Sequence, residues 1–298
     1  MKSSLKPVLQ VVSDAKRFWV GNGFKVAGMI NYNKVGKHLN PFLVLDYNAP
    51  MAFEPEPSPK GIKFHPHRGI ETVTISYDGG VTHCDSTGHS GTITKGGVQW
   101  MTSGSGILHE ERHSDEFAKT GGPFEMVQMW INLPKAQKFT DPKYQVVQAP
   151  ALPKVCISDK SSLRIIAGQY QGFSSPISTF TPMNIWDLDL AAKETFEVDM
   201  PEKYSAGILV RRGRINANGT EAEKENLVIF ERDGTALKIE SPVASKSLLF
   251  FGQAIEEPFV GKGPFVMNTE DELAQAFKDY KSGKFGPVPG PSVLDNVF

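Results

Sequence analysis

All seven histidines of this 298-residue chain, at positions 38, 65, 67, 83, 89, 109 and 113, lie in its first 113 residues. Any centre built from imidazoles therefore belongs to the first half. His65-Pro66-His67 places two rings at i and i+2. On a β-strand that spacing puts both on one face, about 7 Å apart along the backbone, near enough to converge on one ion. Pro66 stiffens the pair and removes a backbone donor. His109 and Glu111 repeat the spacing after Gly104-Ser105-Gly106-Ile107-Leu108, so two strands could each present two ligands to one cavity. Three neutral imidazoles and one carboxylate suit Fe, Mn, Co, Ni or Cu, and an octahedral ion so held keeps two positions open for substrate and oxygen. A structural zinc site is more often closed, four-coordinate and cysteine-rich, which makes zinc the weaker candidate.

The other histidines stand alone, and a lone histidine is usually a hydrogen-bonded structural residue; His38, His83, His89 and His113 are read that way. Glu71, four residues after His67, is the rival carboxylate, since spacing alone puts it on the same strand face as the pair. Glu110 points away from its neighbours, and Arg68 and Gln99 either line the site or support it.

What must position these residues is an all-β scaffold. The 28 glycines and 21 prolines punctuate short segments rich in Val, Ile, Thr, Phe and Trp. Glu71 to Tyr77 alternates Val73, Ile75 and Tyr77 with polar residues and ends at Asp78-Gly79-Gly80, which predicts a strand with one buried and one more polar face, then a hairpin. Val98 to Met101 and Met126 to Leu133 read as further strands, the latter stopped by Pro134. A looser, proline-interrupted stretch from Lys135 to Pro153 is the expected linker. Asn184 to Leu190, Tyr204 to Arg211, Asn226 to Arg232 and Ser247 to Phe251 then repeat the strand texture without a histidine. Two tandem barrels follow: a metal-binding domain over 1–140 and a second domain over 150–298 without metal ligands. Thr269-Glu270-Asp271-Glu272 is a capping box, and Leu273, Ala276, Phe277 and Tyr280 recur at helical spacing before Gly283, so one short helix closes the chain. The proline-bearing tail from Gly286 to Phe298 is expected to lie extended over a barrel.

Composition narrows the function classes. Lys and Arg number 32 against 33 Asp and Glu, and a net charge of −1 gives no electrostatic reason to expect direct nucleic-acid or membrane binding. The two cysteines, Cys84 and Cys156, form no thiol motif. The N-terminus is polar and charged, with no apolar run of signal or membrane-spanning length behind it, so a soluble, cytoplasmic protein is expected; a monomer is the expected state.

At this point the residues resemble a known family. His65-Pro66-His67-Arg68-Gly69-x-Glu71-Thr72-Val73, His83-x-Asp85-Ser86-x-Gly88 and Gln99-Trp100-Met101-Thr102-x-Gly104-x-Gly106-Ile107-x-His109-x-Glu111 look like the pirins. The likeness extends back to Pro41-Phe42-Leu43-Val44-Leu45-Asp46 and forward to Gly263-Pro264-Phe265-Val266-Met267-Asn268-Thr269, nearly the whole chain. Ser105, where many members have arginine, and Ile70, where an aromatic residue is common, depart from the pattern and bear on pocket shape.

Pirins are bicupins, so the resemblance implies two double-stranded β-helix barrels, with iron as Fe2+ held in the first by the positions matching His65, His67, His109 and Glu111. It prefers Glu111 to Glu71, although in cupins generally the glutamate matching Glu71 is the ligand. It further implies a quercetin 2,3-dioxygenase, opening a flavonol with O2 and releasing carbon monoxide, with Glu111 as catalytic base and Trp100, Met101, Phe64 and Ile107 as candidate apolar walls. Other pirins imply a different role, an iron-dependent partner of transcriptional or metabolic proteins.

Overall fold

A computed structural model describes residues 4–288. The chain forms two compact units, and its two ends cross between them. One unit takes the N-terminal segment to Ala15, His38–Pro41 and Pro150–Ala254; the other takes Lys16–Lys37, Phe42–Ala149 and the segment from Ile255 onward. This differs from the expected division at 1–140 and 150–298. The cause is long-range pairing: β1 (Val8–Val12) runs antiparallel to Leu227–Phe230, while the helix Glu270–Lys281 buries Leu273 and Ala276 beside Leu108, Phe265 and Phe285. That helix has the expected capping box at Thr269 and Glu272. Of the proline-bearing tail, residues 289–298 lie outside the described residues.

Each unit pairs a seven-stranded with a four-stranded antiparallel sheet. In the unit without histidine pairs, Trp186, Leu188, Ile208, Phe230, Leu249 and Phe251 belong to one apolar core. Among the described residues no helix is long and apolar enough to cross a membrane.

The histidine-bearing unit is built from β2 (Arg17–Val20), β3 (Phe24–Ile30), β4 (Phe42–Phe53), β5 (Gly61–His67), β6 (Ile70–Asp78), β7 (Val81–Asp85), β8 (Ser90–Ile93), β9 (Val98–Thr102), β10 (Ile107–His113), β11 (Gly122–Asn132) and β12 (Lys143–Val147). The large sheet runs β12-β9-β6-β11-β4-β3-β2, and the small one β5-β10-β7-β8. β12 lies inside the expected linker, where Tyr144 and Val146 pair with Met101 and Gln99 on β9. Pro66 is tolerated because β5 is an edge strand.

Which face of each strand turns inward follows from register. Thr74 sits opposite Gln99 on β9 and Gln128 on β11, and all three reach Glu111 or one another. Thr72, Thr74 and Ser76 are therefore the cavity face of β6, while Glu71, Val73 and Ile75 take the other. Both faces are buried, so the more polar one lines the barrel interior rather than meeting water.

Candidate metal centre

His109 on β10 is directly opposite His65 on β5, and Ile107 is opposite His67. The register then slips, with Glu111 facing Ile62, so β5 carries an extra residue beside the site. Such a bulge re-aims neighbouring groups. Here the Lys63 carbonyl bonds His65 Nδ1 at 2.8 Å. The rings of His65, His67 and His109 lie with centroids 4.3–5.0 Å apart, and one nitrogen of each falls within 4.8 Å of the others.

The donor chemistry fits a metal ion. Each ring is pinned through Nδ1: His65 to the Lys63 carbonyl, His67 to the Pro264 carbonyl at 3.2 Å, and His109 to His83 Nδ1 at 3.3 Å. A neutral imidazole whose Nδ1–H is donated keeps its lone pair on Nε2. His109 Nε2 is buried and has no hydrogen-bond partner, an expensive arrangement unless the lone pair has a ligand to serve. Burial pushes the pKa of His65 below the usual range, and those of His67 and His109 well below it, which keeps the rings in the unprotonated form that metals bind.

Glu111 stands beside this triad, held by three donors: Thr74 Oγ1 (2.8 Å) and Gln99 Nε2 (2.6 Å) on Oε1, and Gln128 Nε2 (2.6 Å) on Oε2. The group of nitrogens within 4.8 Å does not include its carboxylate oxygens. Tyr144 donates to Gln99 Oε1 at 3.2 Å, fixing which end of that amide faces Glu111, and stacks on His83 at 4.3 Å between centroids.

Other expectations need correcting. Glu71 lies beyond the turn at Gly69, so four-residue spacing does not carry the β5 face onto β6; its carboxylate takes a bond from Thr102 on the face away from Glu111. Gly69 makes that turn at φ +78°, where an added Cβ would lie 2.1 Å from the Val266 carbonyl oxygen. Trp100 pairs with Val73 and shares the Glu71 face, and Phe64 packs with Leu108 and Phe265 on the outer side of β5, so neither is a cavity wall. Arg68 is turned to the Ser105 carbonyl and Asp279. Met101 and Ile107 do share faces with Tyr144 and His109. Two residues were not assigned to the site from sequence: Trp130, 5.0 Å from the His67 ring, and His83, read as a hydrogen-bonded structural histidine, which stands beside His109. The His83-x-Asp85 spacing, the same i, i+2 signal as the ligand pairs, could have found the second. His38, His89 and His113 are engaged elsewhere, by the Phe230 carbonyl, Thr87 and the Gly23 carbonyl.

Two barrels, one with a buried imidazole triad and one filled by apolar side chains, define a bicupin with, among the described residues, one histidine cluster able to hold a metal ion. The matching family models are Pirin over residues 23–131 and the Pirin C-terminal cupin domain over residues 185–286. The chain belongs to the pirin family. It is 42% identical to a Pseudomonas aeruginosa protein provisionally named quercetin 2,3-dioxygenase, over 94% of this chain and 99% of that one. Human pirin is 32% identical over 96% of each chain. A crystal structure of quercetin 2,3-dioxygenase from Acinetobacter baumannii superposes with a TM-score of 0.92 at 43% identity, covering 96% of this chain and all of that one.

Proposed function

We propose that this protein is an iron-dependent oxidoreductase that opens quercetin-type flavonols with O2, the iron held by Nε2 of His65, His67 and His109 and by the Glu111 carboxylate. The observation that carries the reading is the set of three imidazoles pinned through Nδ1, with the unpartnered Nε2 of His109 buried among them. The names of the Pseudomonas and Acinetobacter relatives support the reaction.

When bound, iron supplies a Lewis acid and a template for substrate and oxygen. The chain supplies the proton acceptor and the dry cavity. Glu111 Oε1 already takes two hydrogen bonds and Oε2 one, so the open site on Oε2 is the one left for iron, and the flavonol hydroxyl proton would be received there as the Gln128 bond gives way. Gln99 and Thr74 hold that carboxylate in place through Oε1 during the transfer. Ile107 and Met101, both buried, exclude water around a planar ring system, and Trp130 offers an aromatic edge at His67.

Protein prepared without a histidine tag and loaded with iron is expected to consume oxygen and bleach the quercetin absorption band, with metal content read by elemental analysis. Full iron occupancy without turnover, or a native site filled by zinc, would sink the proposal.

A further inference from the structure

The inner layer that holds Glu111 continues past Gln128 to a second carboxylate, Asp46. On β4 it is in register with Gln128 on β11 and with Gly28 on β3, with no bulge between the Gln128 pair and its neighbours on either side. Side chains opposite each other in an antiparallel pair share a face. Gln128 reaches Glu111, so Asp46 is on the cavity side, one strand further from the imidazoles. Thr74, Gln99 and Gln128 are all committed to the Glu111 cluster, whereas among the described residues nothing donates a hydrogen bond to Asp46.

A glycine lets an aromatic ring pack close beside it. A Cβ built on Gly28 would lie 3.6 Å from Asp46 Oδ1 and 3.2 Å from the Phe18 ring, so the carboxylate and the ring edge converge over a position that carries no side chain. Phe18 is 46% exposed, which sets this spot at the accessible end of the layer, while Glu111 is only 3% exposed. A partly buried acceptor without a donor, next to an aromatic edge and in one layer with the proposed base, matches the chemistry of a hydroxylated aromatic ring. Burial with no compensating bond pushes Asp46 up to about 7, a penalty that an arriving hydroxyl donor relieves.

We propose that Asp46 accepts a hydrogen bond from a phenolic hydroxyl of the substrate remote from the metal, with Phe18 as the aromatic wall beside that ring. The inference rests on the flavonol reading above and assigns the far end of the substrate within it.

The test is equilibrium binding to iron-loaded protein without oxygen, so that no turnover intervenes. Wild type, Asp46→Asn and Asp46→Val are titrated with quercetin and with 3-hydroxyflavone, which has only the metal-side hydroxyl. At pH 8, where Asp46 is ionised, loss of the bond in Asp46→Val should weaken quercetin binding by about 10- to 100-fold, and loss of the charge in Asp46→Asn by less, both leaving 3-hydroxyflavone unchanged. Equal losses for both ligands, no loss for either, or no quercetin binding by wild type would overturn the assignment. Oxygen uptake by wild type is read separately. Asp46-dependent binding without turnover would remove the dioxygenase reaction and leave the subsite standing; turnover with unaffected binding in both variants would do the reverse.

Discussion

His83 Nδ1 lies 3.3 Å from His109 Nδ1, and His83 Nε2 lies 3.0 Å from Asp85 Oδ2. Two facing ring nitrogens can bond only if one is protonated, and the carboxylate decides which. Asp85 accepts from His83 Nε2–H, leaving His83 Nδ1 as the acceptor for His109 Nδ1–H and His109 Nε2 as a lone pair for the metal. Burial tends to raise the Asp85 pKa, but the bonds from His83 and Thr87 outweigh it and hold the carboxyl below its usual value. Asp85→Asn removes the charge that orients the chain. Loss of such an outer partner should weaken iron binding by about 10- to 100-fold, measured by chelator competition. Unchanged affinity would show that His109 keeps its tautomer without Asp85.

Glu111 depends on its three donors in the same way. Glu111→Gln presents an amide where Gln99 and Gln128 already point amide nitrogens, so it removes both the acceptor and its anchoring. Loss of a positioned base is expected to lower kcat by about 10²- to 10⁴-fold. Gln128→Leu leaves the base but removes the donor on Oε2, and should lower kcat by less than Glu111→Gln while leaving iron content unchanged. A kcat equal to that of wild type would separate Gln128 from the proton transfer.

The two proposed ligand pairs were legible because i, i+2 spacing survives any strand geometry: His65 and His67 share β5, and His109 and Glu111 share β10. The choice between Glu71 and Glu111 was not. Alternation on β6 separates Glu71, Val73 and Ile75 from Thr72, Thr74 and Ser76, but which set meets the cavity depends on how β6 pairs with β9 and β11. Because the cavity is polar, the usual rule that apolar residues turn inward points to the wrong face for this barrel's interior. The exchange of chain ends was hidden for a related reason. The pairing of Val8 with Phe230 joins residues more than two hundred positions apart, and nothing local in Val8–Val12 specifies that partner.

Glu71 provides a pH test of its placement outside the metal site. Burial raises it from its ordinary 4.5 to about 7 against the opposing bond from Thr102. Between those values the folded chain keeps a proton that the unfolded chain gives up. The stability due to this neutral group is full below about 4.5 and is lost as pH rises through about 7. Glu71→Gln stays neutral at every pH and can still accept from Thr102. Metal-free Glu71→Gln should match wild type in urea at pH 4 and exceed it at pH 8, by about 3 kcal/mol from the size of the shift. Its iron affinity should equal that of wild type; a large loss would return Glu71 to the ligand set.

Phe285 tests whether the C-terminal segment supports the ligand strands from outside. Its ring is 3% exposed and lies 4.7 Å from the Arg68 guanidinium, one residue beyond His67. Its carbonyl accepts from Ser86 Oγ, which in turn accepts from the Leu108 N–H beside His109. A Cβ on Gly106, just before β10 and at φ +130°, would meet the ring at 2.4 Å, so the aromatic is packed directly against the backbone entering that strand. Phe285→Ala leaves a cavity against both ligand strands and should destabilise the protein by about 3–5 kcal/mol in urea unfolding. The same variant should release iron faster to a chelator. Phe285→Leu keeps most of the volume and should restore most of both properties. If Phe285→Ala lowers stability while the iron release rate stays at the wild-type value, the segment stabilises the fold without bearing on the metal ligands.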